Sequence, residues 1–185
     1  ADGTMTAGAA TVVATTRRLV VRWFEPGDAA FVLALVNEPS WIRFIGDRKI
    51  GDVEAARAYL ERGPIDSYRK RGFGLNLVEL RGTGTPIGMC GLIKRDTLPD
   101  VDVGFAFLPA YWGQGYARES AEAVLDHGRR TLGVGRVVAI LSQDNDSSAR
   151  LLERLGFRRD GTIRMPSDDE ELLHYVSDAP AEASR

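Results

Sequence analysis

The sequence is poor in the residues from which disulfide bonds and metal sites are built. Its 185 residues include one cysteine, Cys90, and two histidines. A single cysteine excludes an intramolecular disulfide and any site made of several cysteines. The apolar segment around Cys90 predicts a small core residue there. We therefore expect no metal, and a reducing cytoplasm is the simplest location.

Long apolar runs and a surplus of one charge are also missing. The longest apolar run in the first half covers residues 29–36, far short of the ~18 residues that a spanning helix needs. The chain carries 24 Lys and Arg against 26 Asp and Glu, a formal net charge of −2. So small a net charge gives no reason to expect general binding to nucleic acid or to an anionic membrane. We expect neither as a partner.

What the chain does have is the composition of one globular domain. It is 44% hydrophobic and 27% charged, which is enough apolar material for a core, and its length favours a single domain. We find no internal repeat and no long linker. The expected organisation is a flexible leader over residues 1–15, one domain over residues 16–177 and a flexible tail over residues 178–185.

Apolar periodicity and turn residues predict a mixed α/β domain. Strands are expected at residues 19–24, 74–80, 86–93, 101–108, 137–141, 157–163 and 172–176. Helices are expected at residues 28–37, from 52 to a stop at Gly63-Pro64, at 65–70, after Gly113 as far as Gly133, and ahead of a stop at Gly156-Phe157. Some consecutive strands are joined by hairpins and others by helices. Together these connections predict one mixed sheet flanked by helices.

The segment with the most chemical content runs from a strand through a glycine-rich turn into a helix, at residues 103–119. Gly113 and Gly115 let the backbone approach a ligand closely, and the first N–H groups of the following helix lack partners within the helix. These are the features of a phosphate-binding turn. A second interpretation stays open, in which the glycines serve only the backbone angles of the turn.

Two familiar nucleotide-binding motifs are excluded. A dinucleotide fingerprint needs a third glycine where this chain has Arg118, and an acidic residue after the next strand, which here ends in Leu141, Ser142 and Gln143. The Lys-Ser/Thr pair of a nucleoside triphosphate loop is absent as well.

Three ordered segments of the sequence resemble the GNAT superfamily of acyl-CoA-dependent N-acetyltransferases, and in particular its RimJ/RimL-like branch. They are the turn Tyr-Trp-Gly-Gln-Gly-Tyr-Ala at residues 111–117, the Asn-x-x-Ser helix ending in Leu-Gly-Phe at residues 145–157, and the opening Thr-Arg-Arg-Leu-Val-Val-Arg at residues 16–22. Trp112 replaces the Arg or Gln usual in the superfamily, as is common in this branch. The resemblance spans residues 16–177.

The resemblance implies a splayed mixed sheet that holds acetyl-CoA between two parting strands. It places the pyrophosphate on the backbone N–H groups of five consecutive residues, which are Gly113, Gln114, Gly115, Tyr116 and Ala117. It places the pantetheine amides against a strand edge made by Phe105, Ala106, Phe107 and Leu108. Asn145 would bind the pantetheine arm. Arg118, directly after the turn, is our candidate for contact with a CoA phosphate.

The resemblance also implies a direct attack by an amine on acetyl-CoA in a ternary complex. Asp102 matches a carboxylate that serves some relatives as the base, often through water, and Ser148 is a candidate to protonate the leaving thiolate. Two alternatives stay open: Asp102 is a solvated acid of the turn that begins at Asp100, and a water is the base. Glu119 is expected to favour the helix dipole or to orient the turn.

The acceptor is the least determined part of the prediction. Members of the branch act on protein N-termini, polyamines, antibiotics and other amines, and some form dimers, so a homodimer is compatible with the resemblance. The helices between the first two strands are expected to form one wall of the acceptor site. They carry Trp41, Phe44, Tyr59, Tyr68, Arg43 and Arg48. Two other functions stay open, a non-catalytic acyl-CoA-binding module and an interaction protein without a small ligand.

Overall fold

One eight-stranded sheet organises the molecule. The computed structural model describes residues 10–166 and 170–178. The strands follow the spatial order β1-β2-β3-β4-β5-β6-β8-β7. They are β1 Val12–Thr15, β2 Leu19–Trp23, β3 Leu75–Leu80, β4 Pro86–Ile93, β5 Val101–Phe107, β6 Val137–Leu141, β7 Arg158–Arg164 and β8 Glu171–Ser177. The helices are α1 Ala29–Val36, α2 Pro39–Phe44, α3 Val53–Leu60, α4 Asp66–Arg71, α5 Tyr116–Arg130 and α6 Asp146–Arg154.

The sheet opens between β5 and β6. These two strands are parallel and pair at two positions only, Val101 with Val137 and Asp102 with Val138, whereas the other neighbouring strands are antiparallel. Beyond Asp102, β5 stays paired with β4 as far as Phe107 but has no partner strand on its other side among the described residues. The predicted mixed α/β fold with a splayed sheet is confirmed.

Two apolar clusters hold the helices against opposite faces of the sheet. On one face, α5 and α6 pack through residues such as Val124 and Leu152. On the other face, α1 to α4 pack through residues such as Val32, Leu60 and Tyr68. Side chains alternate along a strand, so consecutive residues of β5 point into different clusters. The strand that borders the gap is therefore fixed from both sides.

Three features of the fold differ from the sequence prediction. Val12–Thr15 forms β1, so the sheet begins inside the predicted leader, and residues 1–9 lie outside the described part. The short helix α2 was not predicted at all. The stop expected at Gly63-Pro64 is absent, because a π-helical turn over Glu61–Ile65 joins α3 to α4. A wide turn of this kind accommodates a proline, which has no N–H to donate.

Within residues 10–166 and 170–178, no helix is long and apolar enough to cross a membrane. Of the predicted tail, Asp178 alone is described, and the acidic residues 168 and 169 lie outside the described part.

Candidate functional site

The glycine-rich turn lies at the carboxyl end of β5, beside the gap. Pro109–Tyr111 forms a short 3₁₀ turn, and α5 then begins at Tyr116 with Gly115 as its N-cap residue. Gly113 has a φ of 71° and Gly115 a φ of 82°. Both values lie in the left-handed region, which residues with a Cβ atom adopt at a cost. The backbone angles alone therefore require glycine at both positions.

The same turn presents a row of free backbone donors. Among the described residues, none of the six N–H groups from Gly113 to Arg118 has a hydrogen-bond partner. The next N–H along the chain, that of Glu119, donates to the Gly115 carbonyl at 3.0 Å. Adjacent N–H groups at a helix N-terminus, with its partial positive charge, form a binding site for anions. The turn thus has the donors of a phosphate site as well as the angles that need glycine.

The edge of β5 that faces the gap offers further backbone groups. The Leu108 N–H donates to the Ile87 carbonyl of β4 at 3.0 Å. Because the groups of successive residues alternate between the two edges of a strand, Ala106 and Leu108 face β4, while Phe105 and Phe107 face the gap. The Phe107 carbonyl also accepts from Trp112 Nε1 at 2.8 Å. Of the four predicted edge residues, Phe105 and Phe107 are therefore the two that present their backbone groups to the gap.

The start of α5 is tied to the turn between β1 and β2. Thr16 Oγ1 donates to Glu119 Oε2 at 2.6 Å, and Arg18 Nε donates to Glu119 Oε1 at 2.8 Å. Burial would raise the pKa of Glu119, but hydrogen bonds from Thr16 and Arg18 outweigh it and lower that pKa. The geometry agrees with the expectation that Glu119 orients the turn.

Arg18 is a residue of this site that sequence reasoning missed. It lies inside the opening motif at residues 16–22, but nothing in the sequence connects it with a helix about one hundred residues later. Arg118, the arginine selected from the sequence, instead bonds Glu122 at 2.9 Å on the exposed side of α5. Both partners of that pair are more than half exposed.

Asp102 lies at the apex of the gap, in the last pair before β5 and β6 separate. Its side chain is 2% exposed and its Oδ1 accepts from Arg95 Nε at 3.2 Å. Burial raises the pKa of Asp102 above its ordinary value, and the charge and hydrogen bond of Arg95 oppose that rise. The alternative of a solvated turn residue is therefore wrong for Asp102.

Asn145 and Ser148 lie across the gap, between the end of β6 and the start of α6. Asn145 is the N-cap of α6, and its Oδ1 accepts from the Ser148 N–H at 3.3 Å. This contact is the capping role typical of asparagine. The Asn145 Nδ2 group and the Ser148 hydroxyl have no hydrogen-bond partner within the described residues. Both side chains are half-buried.

The end of α2 contacts the segment that follows β6. Ser142 Oγ donates to the Phe44 carbonyl at 3.0 Å, and Arg43 bonds Asp144 at 3.1 Å. Trp41 is buried in the core instead of lining a site. Tyr68 is buried too. Its hydroxyl donates to the Leu75 carbonyl and accepts from the Phe24 N–H.

Tyr59 on α3 and Phe44 on α2 are half-buried, and their place in an acceptor wall stays a prediction. Burial raises the pKa of the Tyr59 hydroxyl, while Arg48 and Arg95 lower it by their charge. Tyr59 thus lies in the field of Arg95, the residue that binds Asp102. Within residues 10–166 and 170–178, no group of three or more His, Cys, Asp or Glu side chains could hold a metal ion.

Comparison with solved structures identifies several with the same fold. The acetyltransferase from Agrobacterium tumefaciens str. C58 has a TM-score of 0.76 and 26% identity, over 89% of this chain and 92% of that one. RimL, described as a ribosomal L7/L12 alpha-N-protein acetyltransferase in complex with coenzyme A, has a TM-score of 0.78 over 92% and 99% of the chains. Its identity is 17%, so this likeness concerns the fold alone.

Curated sequences and a family model give the same result. The uncharacterized N-acetyltransferase YnaD of Bacillus subtilis (strain 168) is 29% identical over 163 residues, which are 87% of this chain and 92% of YnaD. YoaA, an uncharacterized N-acetyltransferase of the same organism, is 28% identical over 150 residues, 80% and 84% of the two chains. The model of the acetyltransferase (GNAT) domain matches residues 18–158. The chain therefore belongs to the GNAT family of acetyltransferases.

Proposed function

We propose that this protein transfers an acetyl group from acetyl-CoA to a primary amine, on a protein N-terminus or a small molecule, by direct attack in a ternary complex. The row of free N–H groups from Gly113 to Arg118 carries the proposal. Such a row binds phosphate groups, and CoA has a pyrophosphate at the head of its pantetheine arm. The gap between β5 and β6 opens beyond Asp102, and this row follows the carboxyl end of β5, the strand that borders the gap.

The proposed cosubstrate fits the donors and acceptors present. Gly113, Gln114, Gly115, Tyr116 and Ala117 would hold the pyrophosphate through their backbone N–H groups, with Arg118 as the candidate cation beside them. Along the gap, the backbone groups of Phe105 and Phe107 would pair with the pantetheine amides, as a further strand would. Asn145 uses its oxygen as a cap, which leaves its Nδ2 to donate to the pantetheine arm.

In the proposed reaction, acetyl-CoA supplies an activated acetyl thioester, and the protein has to handle two protons. An amine must be neutral to attack a carbonyl, and Asp102 would take its proton, directly or through water. Burial makes the Asp102 carboxylate a better proton acceptor than an exposed one, because it disfavours the charged form. Ser148 would donate to the departing sulfur.

Thermal unfolding with acetyl-CoA, NAD or ATP is the first test. A ligand that binds only the folded protein raises the free energy of unfolding by RT ln(1 + [L]/Kd), and the unfolding temperature rises with it. We expect a rise with acetyl-CoA and none with the other two. Amines, peptides and polyamines are then screened for release of the CoA thiol. No rise with acetyl-CoA would contradict the proposal, and a rise without turnover of any amine would favour the non-catalytic module.

A pair of glycine variants locates the binding. Gly115→Ala places a Cβ at 3.3 Å from a terminal guanidinium nitrogen of Arg18 and strains the turn at a φ of 82°. Gly133→Ala introduces the same strain at a φ of 68°, where a Cβ meets nothing within 4 Å. Each change destabilises the protein by about 1 kcal/mol. We expect the acetyl-CoA-dependent rise to be lost in Gly115→Ala alone, and equal losses in both variants would contradict the placement.

A further inference from the structure

We infer that Arg18 is a positioning residue for the phosphate site. It fixes the turn that follows β5, and it neutralises Glu119, whose charge would otherwise oppose a bound pyrophosphate. This inference rests on the proposed function, since it concerns the same site.

Arg18 contacts three parts of the turn at once. Its Nε bonds Glu119 at 2.8 Å, and its Nη1 donates to the Gln114 carbonyl at 2.9 Å. The guanidinium carbon lies 4.3 Å from the centroid of the Tyr116 ring, a cation–π geometry. One planar guanidinium thus connects the loop, the N-cap region and the first turn of α5. A lysine has no such fork and cannot make the same set of contacts.

The segment that carries Arg18 is itself firmly held. Thr16 Oγ1 accepts from the Leu19 N–H at 3.0 Å, which closes the turn between β1 and β2. Arg81, in the loop between β3 and β4, donates its N–H to the Arg18 carbonyl at 2.8 Å and its Nη1 to the Thr16 carbonyl at 3.2 Å. Arg18 therefore reaches the phosphate turn from a rigid base, which a positioning residue needs.

The charge of Glu119 gives Arg18 its second role. Glu119 lies in the first turn of α5, directly after the row of free N–H groups. Three donors, namely Thr16 Oγ1 and both the N–H and the Nε of Arg18, hold its carboxylate in the ionised form. An ionised carboxylate beside a site for a diphosphate raises the cost of binding unless a cation compensates it. Arg18 supplies the cation that binds the Glu119 carboxylate.

Calorimetric titration with coenzyme A tests this inference without any acceptor. The variants are Arg18→Gln, Arg18→Lys, Glu119→Gln and the double variant Arg18→Gln with Glu119→Gln. Arg130→Gln is the matched control, because it removes an arginine bonded to Asp126 at 2.7 Å at the far end of the same helix. All titrations are made well below each variant's unfolding temperature, so that the affinity is that of folded protein.

We expect Arg18→Gln to bind CoA about tenfold more weakly, the loss typical of a hydrogen bond to a charged group. Arg18→Lys is expected between Arg18→Gln and the unchanged protein, and Arg130→Gln within about twofold of the unchanged protein. The double variant is expected to bind more tightly than Arg18→Gln, because it no longer has an uncompensated carboxylate. A purely structural role for Arg18 predicts the opposite, since the double variant has lost both partners.

The two possible failures are distinguishable. If the unchanged protein does not bind CoA, the proposed function fails and this inference fails with it. If the unchanged protein binds CoA and Arg18→Gln binds equally well, or if the double variant binds no better than Arg18→Gln, the inference alone is overturned.

Discussion

Two carboxylates near the gap, Asp102 in β5 and Glu119 in α5, are each bound to an arginine, and the two pairs behave in opposite ways. In the first turn of α5, Glu119 accepts hydrogen bonds from Thr16 and Arg18, and its pKa is lowered. Near the amino end of β5, Asp102 is 2% exposed, has Arg95 as its partner, and its pKa is raised. An arginine nearby is therefore not enough to set the direction of a pKa shift.

The balance between burial and donors decides that direction. Burial penalises the charged form of both carboxylates, and donors to the charged form oppose the penalty. Glu119 is less buried and better supplied with donors than Asp102. The first arrangement produces a permanent anion that can organise a turn, and the second a carboxylate that can accept a proton. Variants of the two carboxylates and of Arg95 separate these two roles.

The largest effect is expected from Asp102→Asn. Removal of a general base lowers the rate by about 10²- to 10⁴-fold, while CoA affinity should stay within about twofold because Asp102 does not contact the phosphate turn. Initial rates with the best amine from the screen and CoA titration measure the two quantities. Asp100→Asn is the control, since Asp100 bonds Arg136 at 3.3 Å, two residues before Asp102. Equal rates for Asp102→Asn and the unchanged protein would assign the proton to water instead.

A smaller effect is expected from Arg95→Gln, which removes the cation that opposes the raised pKa of Asp102. The pKa of Asp102 should rise further, because the charge of a neighbouring arginine favours the ionised form of a carboxyl group. The acid limb of the pH profile of kcat/KM should therefore move to higher pH. At a fixed acid pH, kcat/KM should fall about tenfold. Arg95→Lys keeps the charge and should shift the limb less. An unmoved limb would show that Asp102 is not the titrating group.

The smallest effect concerns stability, where the two carboxylates should differ in sign. The pKa of Glu119 is lowered on folding, so its stabilising contribution is present above its ordinary value of 4.5 and is lost as pH falls through the folded value. The pKa of Asp102 is raised, so its contribution is present below its ordinary value of 3.8 and is lost as pH rises through the folded value.

At neutral pH, Glu119→Gln should therefore lower the unfolding temperature by about 2–4 °C, which corresponds to about 1 kcal/mol in a chain of this size. Asp102→Asn should raise it or leave it unchanged. Thermal scans from about pH 4 to pH 8 measure both, and the deficit of Glu119→Gln should shrink toward the acid end. The same sign for both variants at neutral pH would remove the contrast between Glu119 and Asp102.

Much of the fold could be predicted from local sequence. The strands β4 and β6 have the predicted bounds, because apolar runs bounded by turn residues leave little choice. The short strand β1 was missed because four residues next to a Thr- and Ala-rich stretch have no apolar pattern of their own, and pairing with β2 provides their order. The continuous helix across Pro64 was missed because a single proline is a strong local signal for a stop.

Local sequence also revealed some residues of the candidate site and not others. Gly113 and Gly115 were found because a left-handed angle allows few other residues, and their spacing before a helix is visible in the sequence. Arg18 was missed as a site residue, and Arg118 was chosen because it follows the turn directly. In the structure Arg118 bonds Glu122 further along α5, and its contact with a CoA phosphate stays a prediction.

The sequence by itself determined the order of most elements, the glycine turn between β5 and α5, and the family through motifs that are each local. Each of these depends on residues within about one turn or one strand of each other, where propensities and backbone angles act directly. Only the tertiary structure decided which arginine meets which carboxylate, how far β5 and β6 pair before they part, and that Asp102 is buried. These depend on contacts between segments as far apart as Arg18 and Glu119, and burial and donors at such contacts determine a carboxylate's charge.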